Sequence, residues 1–123
     1  MGDRSNIVIK EGKEEVFLYG HNMGRHYISV LAEALTRGRD RWQDPSYLAR
    51  IVFCEMTKDT KAETTGYGIW CSLTDNEHPL LVVDCPNRAV RLETEKGRKV
   101  LLADSMEGFL SHLAEFNKIV AAN

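Results

Sequence analysis

The spacing of apolar residues changes several times along the chain, and each change predicts an element. "NIVIK" (residues 6–10) and "EVFLYG" (15–20) are β-branched or aromatic runs, and "EGKE" between them supplies a turn glycine. Together they predict a β-hairpin. From Tyr27 the spacing becomes helical, through Ile28, Leu31, Ala34 and Leu35, with Gly38 beyond the last periodic position as a stop. Asn22 stands where an N-cap would stand. Asp44 before Pro45 is a second helix start, a carboxylate cap followed by the one helical position that tolerates proline. The helix it opens, "SYLARIVFCEMTK", has little polar face and is expected to be largely buried. "DTKAETTG" (59–66) reads as a polar, mobile loop.

Past Gly66 the runs shorten. "YGIWCSL" alternates, with Tyr67, Ile69, Cys71 and Leu73 on one face, and "LLVVD" has the continuous apolar look of a central strand. "CPN" suits a tight turn, and "RAVRLET" and "RKVLLA" face each other across "EKG". These four segments predict an antiparallel meander. Asp104 and Glu107 are spaced as a capping box before a helix whose stripe is Phe109, Leu113, Phe116 and Val120. The predicted class is α+β. It has about six strands in a mostly antiparallel sheet, helices on one face, and the order β-β-α-α-β-β-β-β-α.

Composition narrows the field. The 123 residues suit one domain spanning 1–123, and 43% hydrophobic content can build a core without metal or disulfide. A net charge of -2 argues against a nucleic-acid partner. Cys54, Cys71 and Cys85 are odd in number and form no close pair, and no basic-then-apolar leader opens the chain. Reduced thiols and a cytoplasmic location are expected. Asn6 breaks the myristoylation pattern, and no apolar run approaches the length of a membrane helix. Phosphate-loop, dinucleotide, zinc-protease and esterase motifs are all absent.

Four constellations carry candidate chemistry. In the strand-to-helix junction "YGHNMGRH", a helix N-terminus attracts anions. Gly20 and Gly24 would allow close approach there, Arg25 would add a charged fork, and His21 and His26 would donate. The plainer reading is a turn capped by Asn22. In "TDNEHP", Asp75, Asn76, Glu77 and His78 place carboxylates beside an imidazole, an acid–base arrangement that is also ordinary turn composition. Cys71, His78 and Cys85 are evenly spaced soft ligands, but the missing close cysteine pair argues against zinc, and neither metal nor cofactor is expected. Cys54 lies in an apolar helix with no base beside it. In "TRGRDRW", Arg37, Arg39, Arg41 and Trp42 would suit phosphates, bases or a protein interface, with a solvated connection as the default.

The segments "MGDRSNIVI", "FLYGHNMG", "DPSYLARIVFCEM", "GYGI" and "DNEHPLLVVD" together resemble a family of small bacterial and phage proteins that begin Met-Gly-Asp-Arg. The resemblance covers most of the chain and implies no activity. It departs at Asn22, where the family pattern has an aromatic residue. It draws attention to Asp3 and Arg4, as anchors of the first strand or as the lining of a pocket with His21. The favoured reading is a non-enzymatic binding or interaction protein that holds a small anionic ligand or a protein partner at His21, Asn22, Gly24, Arg25, His26, Asp75, Asn76 and His78, with no membrane partner. One alternative is a small hydrolase or nuclease in which His21, His26 or His78 is acid or base and Arg25 stabilises negative charge. The other is a homo-oligomeric module that uses a free sheet edge.

Overall fold

A computed structural model describes residues 2–60 and 63–123. The fold is α+β, with a six-stranded mixed, mostly antiparallel sheet and helices packed against it. The chain runs β1 (Ser5–Glu11), β2 (Glu14–Gly20), a 3-10 turn (Gly24–His26), α1 (Tyr27–Arg37), a second 3-10 turn (Arg39–Arg41) and α2 (Pro45–Thr57). It continues through β3 (Tyr67–Trp70), β4 (Leu80–Asp84), β5 (Ala89–Glu93), β6 (Val100–Ser105), α3 (Met106–Ser111) and α4 (Leu113–Ala122).

The predicted hairpin is present as β1 and β2. Glu11 faces Glu14 across a turn in which Gly12 takes φ +63°, a conformation that suits glycine. The predicted four-stranded meander is not. Only β4, β5 and β6 are sequential neighbours, and the sheet order is β3-β2-β1-β4-β5-β6. β3 instead pairs with β2 at the far edge, and β4 joins β1 in the sheet's single parallel pairing. Parallel neighbours need a crossover, and residues 71–79 supply it. The predicted alternation of "YGIWCSL" therefore ends as a strand at Trp70. β4 is central, as its apolar run predicts, with all five residues buried.

One face of the sheet carries Ile7, Ile9, Leu18, Leu81, Val83, Val90 and Leu92 into a core with the helices. The other face buries a smaller cluster, Val8, Phe17, Leu80 and Val82, against which Leu73 of the crossover packs. Farther along that second face an alternating charge ladder runs Lys10–Glu15–Arg98–Glu93–Arg91–Asp84. Arg98 reaches Glu15 Oε2 and Glu93 Oε1, each at 2.7 Å. Its hydrogen bond and charge hold the Glu15 carboxyl below the usual range despite partial burial.

Several local expectations shift. Asp44 does cap α2, accepting from Tyr47 N with Pro45 at the first position, and Gly38 ends α1. The α1 start is not capped by Asn22: the residue preceding the 3-10 turn is Met23, and no side chain caps it. The third helix is capped by Ser105, whose Oγ accepts from Gly108 N, one residue past the predicted Asp104. The C-terminal helix breaks at His112, which lies outside helical geometry. α2 is buried on one stripe only, at Leu48, Val52, Glu55 and Met56, while Tyr47 and Cys54 are exposed. Of the predicted 59–66 loop, Lys61 and Ala62 lie outside the described residues, and no helix or strand forms at the rest.

Candidate functional site

The N-terminal segment lies between the two polar clusters that the sequence singles out. Asp3 N–H donates to His21 O, and Gly24 N–H donates back to Asp3 O, both at 2.8 Å. Ser5 Oγ donates to Gly24 O at 2.9 Å. Gly24 holds φ +48°, and a Cβ there would run into the Asp3 carboxylate. His21 Nδ1 pairs with Tyr19 Oη at 2.9 Å, and Asn22, Arg25 and His26 face outward. The helix start thus already faces a carboxylate of its own chain, and a second anion there would meet it.

Asp75, Asn76, Glu77 and His78 form the end of the crossover, and they are tied to residues 3–6. Arg4 donates to Asp75 Oδ2 at 2.6 Å and to Glu77 Oε1 at 3.1 Å, while Glu77 N–H donates to Arg4 O at 2.8 Å. Hydrogen bonds from the Arg4 backbone and side chain hold the Glu77 carboxyl below the usual range. Asn6 Nδ2 donates to Asp75 O at 2.8 Å and Asn76 Oδ1 at 3.1 Å, and Tyr27 Oη donates to Pro79 O at 2.7 Å. His78 Nε2 meets Asp3 Oδ1 at 2.5 Å. Of the two readings of Asp3 and Arg4, the geometry is that of anchors.

No hydrogen bond joins any two of His21, His26, His78, Asp75 and Glu77. Asp3 and His78 do form a carboxylate–imidazole pair, but no serine, threonine or cysteine side chain bonds His78. Two open clefts flank this region. One of about 650 Å³ is lined by Asp3, Arg25, His26, Ser29 and Asn117. One of about 310 Å³ includes Asn76, Glu77, His78 and Glu95. Both are polar and shallow, unlike the apolar, enclosing pockets that bind small molecules.

The remaining candidates separate. Cys71 is exposed at the crossover's start, whereas Cys85 is buried at the end of β4, where loss of solvent pushes its thiol up to about 12. Among the described residues no group of three or more His, Cys, Asp or Glu is placed to hold a metal. Trp42 is buried, with Nε1 donating to Leu35 O at 2.9 Å and the guanidiniums of Arg39 and Arg88 over its ring. Its indole is therefore withdrawn from any base or partner, which corrects the stacking and interface readings of that residue. Arg37 pairs with Glu55, and Arg39 with Glu107.

The sheet edge that the oligomeric reading invokes without placing lies at β3, open among the described residues. Ile69 and Trp70 are 53% and 61% exposed, on opposite faces of one edge strand. Ile69 borders a mostly apolar depression with Leu18, Ala49, Phe53 and Cys54, to which Ser46 and Arg50 also contribute. A usable signal existed, because residues 64–74 carry no charge in a chain that is 28% charged. Bare strand edges are normally guarded by charge. No protein family, curated protein or solved structure matches this chain. Among the described residues no helix is long and apolar enough to cross a membrane.

Proposed function

We propose that this protein is an interaction module that docks an extended polypeptide segment along β3. The observation that carries the reading is the uncharged free edge bearing the exposed pair Ile69 and Trp70. Strand addition takes its affinity from main-chain hydrogen bonds and its specificity from alternate side chains. β3 offers both, with Ile69 beside the Phe53 depression on the helix-covered face and Trp70 on the other. Trp is also a favoured interface anchor. The reading selects the partner-docking branch of the expected binding function. The anionic-ligand branch draws no support from a helix start that faces Asp3, and the acid–base branch none from histidines that do not meet.

The test is a backbone NMR titration of the full chain with an uncharged, extended apolar peptide. Shifts are expected at Tyr67 to Trp70 and at Phe53 and Cys54. Shifts confined to the cleft of Asp3, Arg25 and His26, or none at all at a dilution where the chain is monomeric, would overturn the reading.

A further inference from the structure

The hydrogen-bond phase of the sheet fixes which groups of β3 are free. Residues of an antiparallel strand point their N–H and C=O alternately to one neighbour and the other. Glu11 and Glu14 flank the hairpin turn, so the even-numbered residues of β2 bond to β1 and the odd-numbered ones turn toward β3. His21 N–H donating to Gly66 O at 2.8 Å agrees with this phase. Tyr19 pairs with Gly68 and Phe17 with Trp70, so Gly68 and Trp70 spend their backbone groups on β2. The N–H and C=O of Tyr67 and Ile69 point outward. Cys71, the next residue, is exposed and lies just past the end of the strand at Trp70.

We infer that the segment docked on β3 is the β3 of a second copy of this chain, antiparallel and centred on Ile69. The inference rests on the edge-docking reading above and names its partner. A twofold axis perpendicular to the sheet keeps each copy's helix-covered face on the same side. Centred on Ile69, it pairs Ile69 with Ile69 of the second copy, Gly68 with Trp70, and Tyr67 with Cys71. The outward N–H and C=O of Ile69 then meet those of its counterpart. Each Trp70 lies across a glycine inside the other copy's strand, where no side chain obstructs the indole. Aromatic residues set across a glycine in this way stabilise strand pairs. Each Ile69 closes against its counterpart, joining the two Phe53 depressions, each rimmed also by Arg50, into one mostly apolar strip.

Charge points the same way. Self-pairing an edge sets identical segments against each other, so any charge near the axis would oppose its own kind. Residues 64–74 contain none. The other sheet edge, β6, follows Arg98 and Lys99 and carries Asp104 within it, which suits an edge kept unpaired.

The test is sedimentation equilibrium of the full chain over a concentration series, with Ile69→Lys and Ile69→Glu run separately and mixed. The wild-type mass is expected to rise from 14.0 kDa toward twice that value. Each variant alone is expected to stay at 14.0 kDa, because like charges meet at the axis, and the equimolar mixture to recover the dimer. A wild-type mass fixed at the monomer value, a variant that dimerises unchanged, or a mixture that fails to recover would each overturn the inference. The peptide titration separates the two claims: a monomeric chain that still binds the peptide on β3 retains edge docking and loses the second copy.

Discussion

Oδ1 of Asp3 lies 2.5 Å from Nε2 of His78, closing a contact across 75 positions of sequence. With Arg4 on Asp75 and Glu77, and Asn6 on Asp75 and Asn76, it fastens the crossover to the first strand. Asn6 is the buried member of this set, and its Oδ1 lacks a partner while Nδ2 makes two bonds. Asn6→Ala removes the donor from Asp75 O and Asn76 Oδ1, in the part-buried seam between β1 and the crossover. A loss of about 0.5–1.5 kcal/mol is expected, the net worth of an ordinary hydrogen bond, read from the urea midpoint. An unchanged midpoint would mean that solvent satisfies these groups.

Gly24 is held by two separable constraints, a positive φ and the nearby Asp3 carboxylate. Gly24→Ala is expected to lose about 1–2 kcal/mol from the left-handed backbone alone, and more from the clash. Asp3→Ala combined with Gly24→Ala is expected to lose less than the sum of the two single changes. A double-mutant cycle in urea measures the difference, and strict additivity would place the carboxylate clear of the glycine.

His112 Nδ1 and Asp104 Oδ2 meet at 2.9 Å, tying the break between α3 and α4 to the end of β6. The hydrogen bond raises the imidazole above its ordinary 6.5 and lowers the carboxyl below its ordinary 3.8. The histidine's share of stability is complete below its unfolded pKa and is lost as pH rises through the higher folded value. The aspartate's share is present above its unfolded pKa and is lost as pH falls through the lower folded one. The pair is therefore at full strength between roughly pH 4 and 6.5. His112→Ala is expected to flatten the decline in stability just above that window, measured as thermal midpoint against pH. A decline identical to wild type would assign it to other groups.

Ile69→Lys is expected to leave monomer stability within about 0.5 kcal/mol of wild type, as for exposed sites generally. Trp42→Phe, at the buried tryptophan, is expected to lose about 1–3 kcal/mol, since the Leu35 carbonyl loses its indole donor. Urea unfolding of both variants makes the contrast. A large loss at Ile69 would make that residue part of the fold rather than a free edge.

Strands with a plain alternation or a continuous apolar run were legible: β1, β2 and β4 stand close to where their patterns place them. The partner of β3 was not, because its pairing depends on the crossover passing over the second face, which no local pattern encodes. Helix starts were readable where a carboxylate precedes proline, at Asp44, and misplaced where polar residues crowd together. At Asn22 and Asp104 several side chains could cap, and tertiary contacts from Asp3 and His112 decided the matter. The burial of α2 was overstated because apolar content does not reveal whether a neighbour covers each side, and Tyr47 and Cys54 have none. Of the candidate site, the residue types were visible but their engagements were not. Asp3 with His78 and Arg4 with Glu77 join distant segments, and such pairs leave no periodic trace. Ile69 and Trp70 were read as ordinary alternation, and the charge gap around them was the unread signal.

The position of β1 bears on how the chain is made. It lies between β2 and β4, so Ile7 waits for Leu81 and Ile9 for Val83. Synthesis completes β1 at Glu11 and reaches β4 only at Leu80. Over that interval Ile7, Val8 and Ile9 have β2 on one side and nothing on the other. Unpaired strand edges on nascent chains invite aggregation. The hazardous moment for this chain falls during synthesis, at one of the two central strands of the finished sheet.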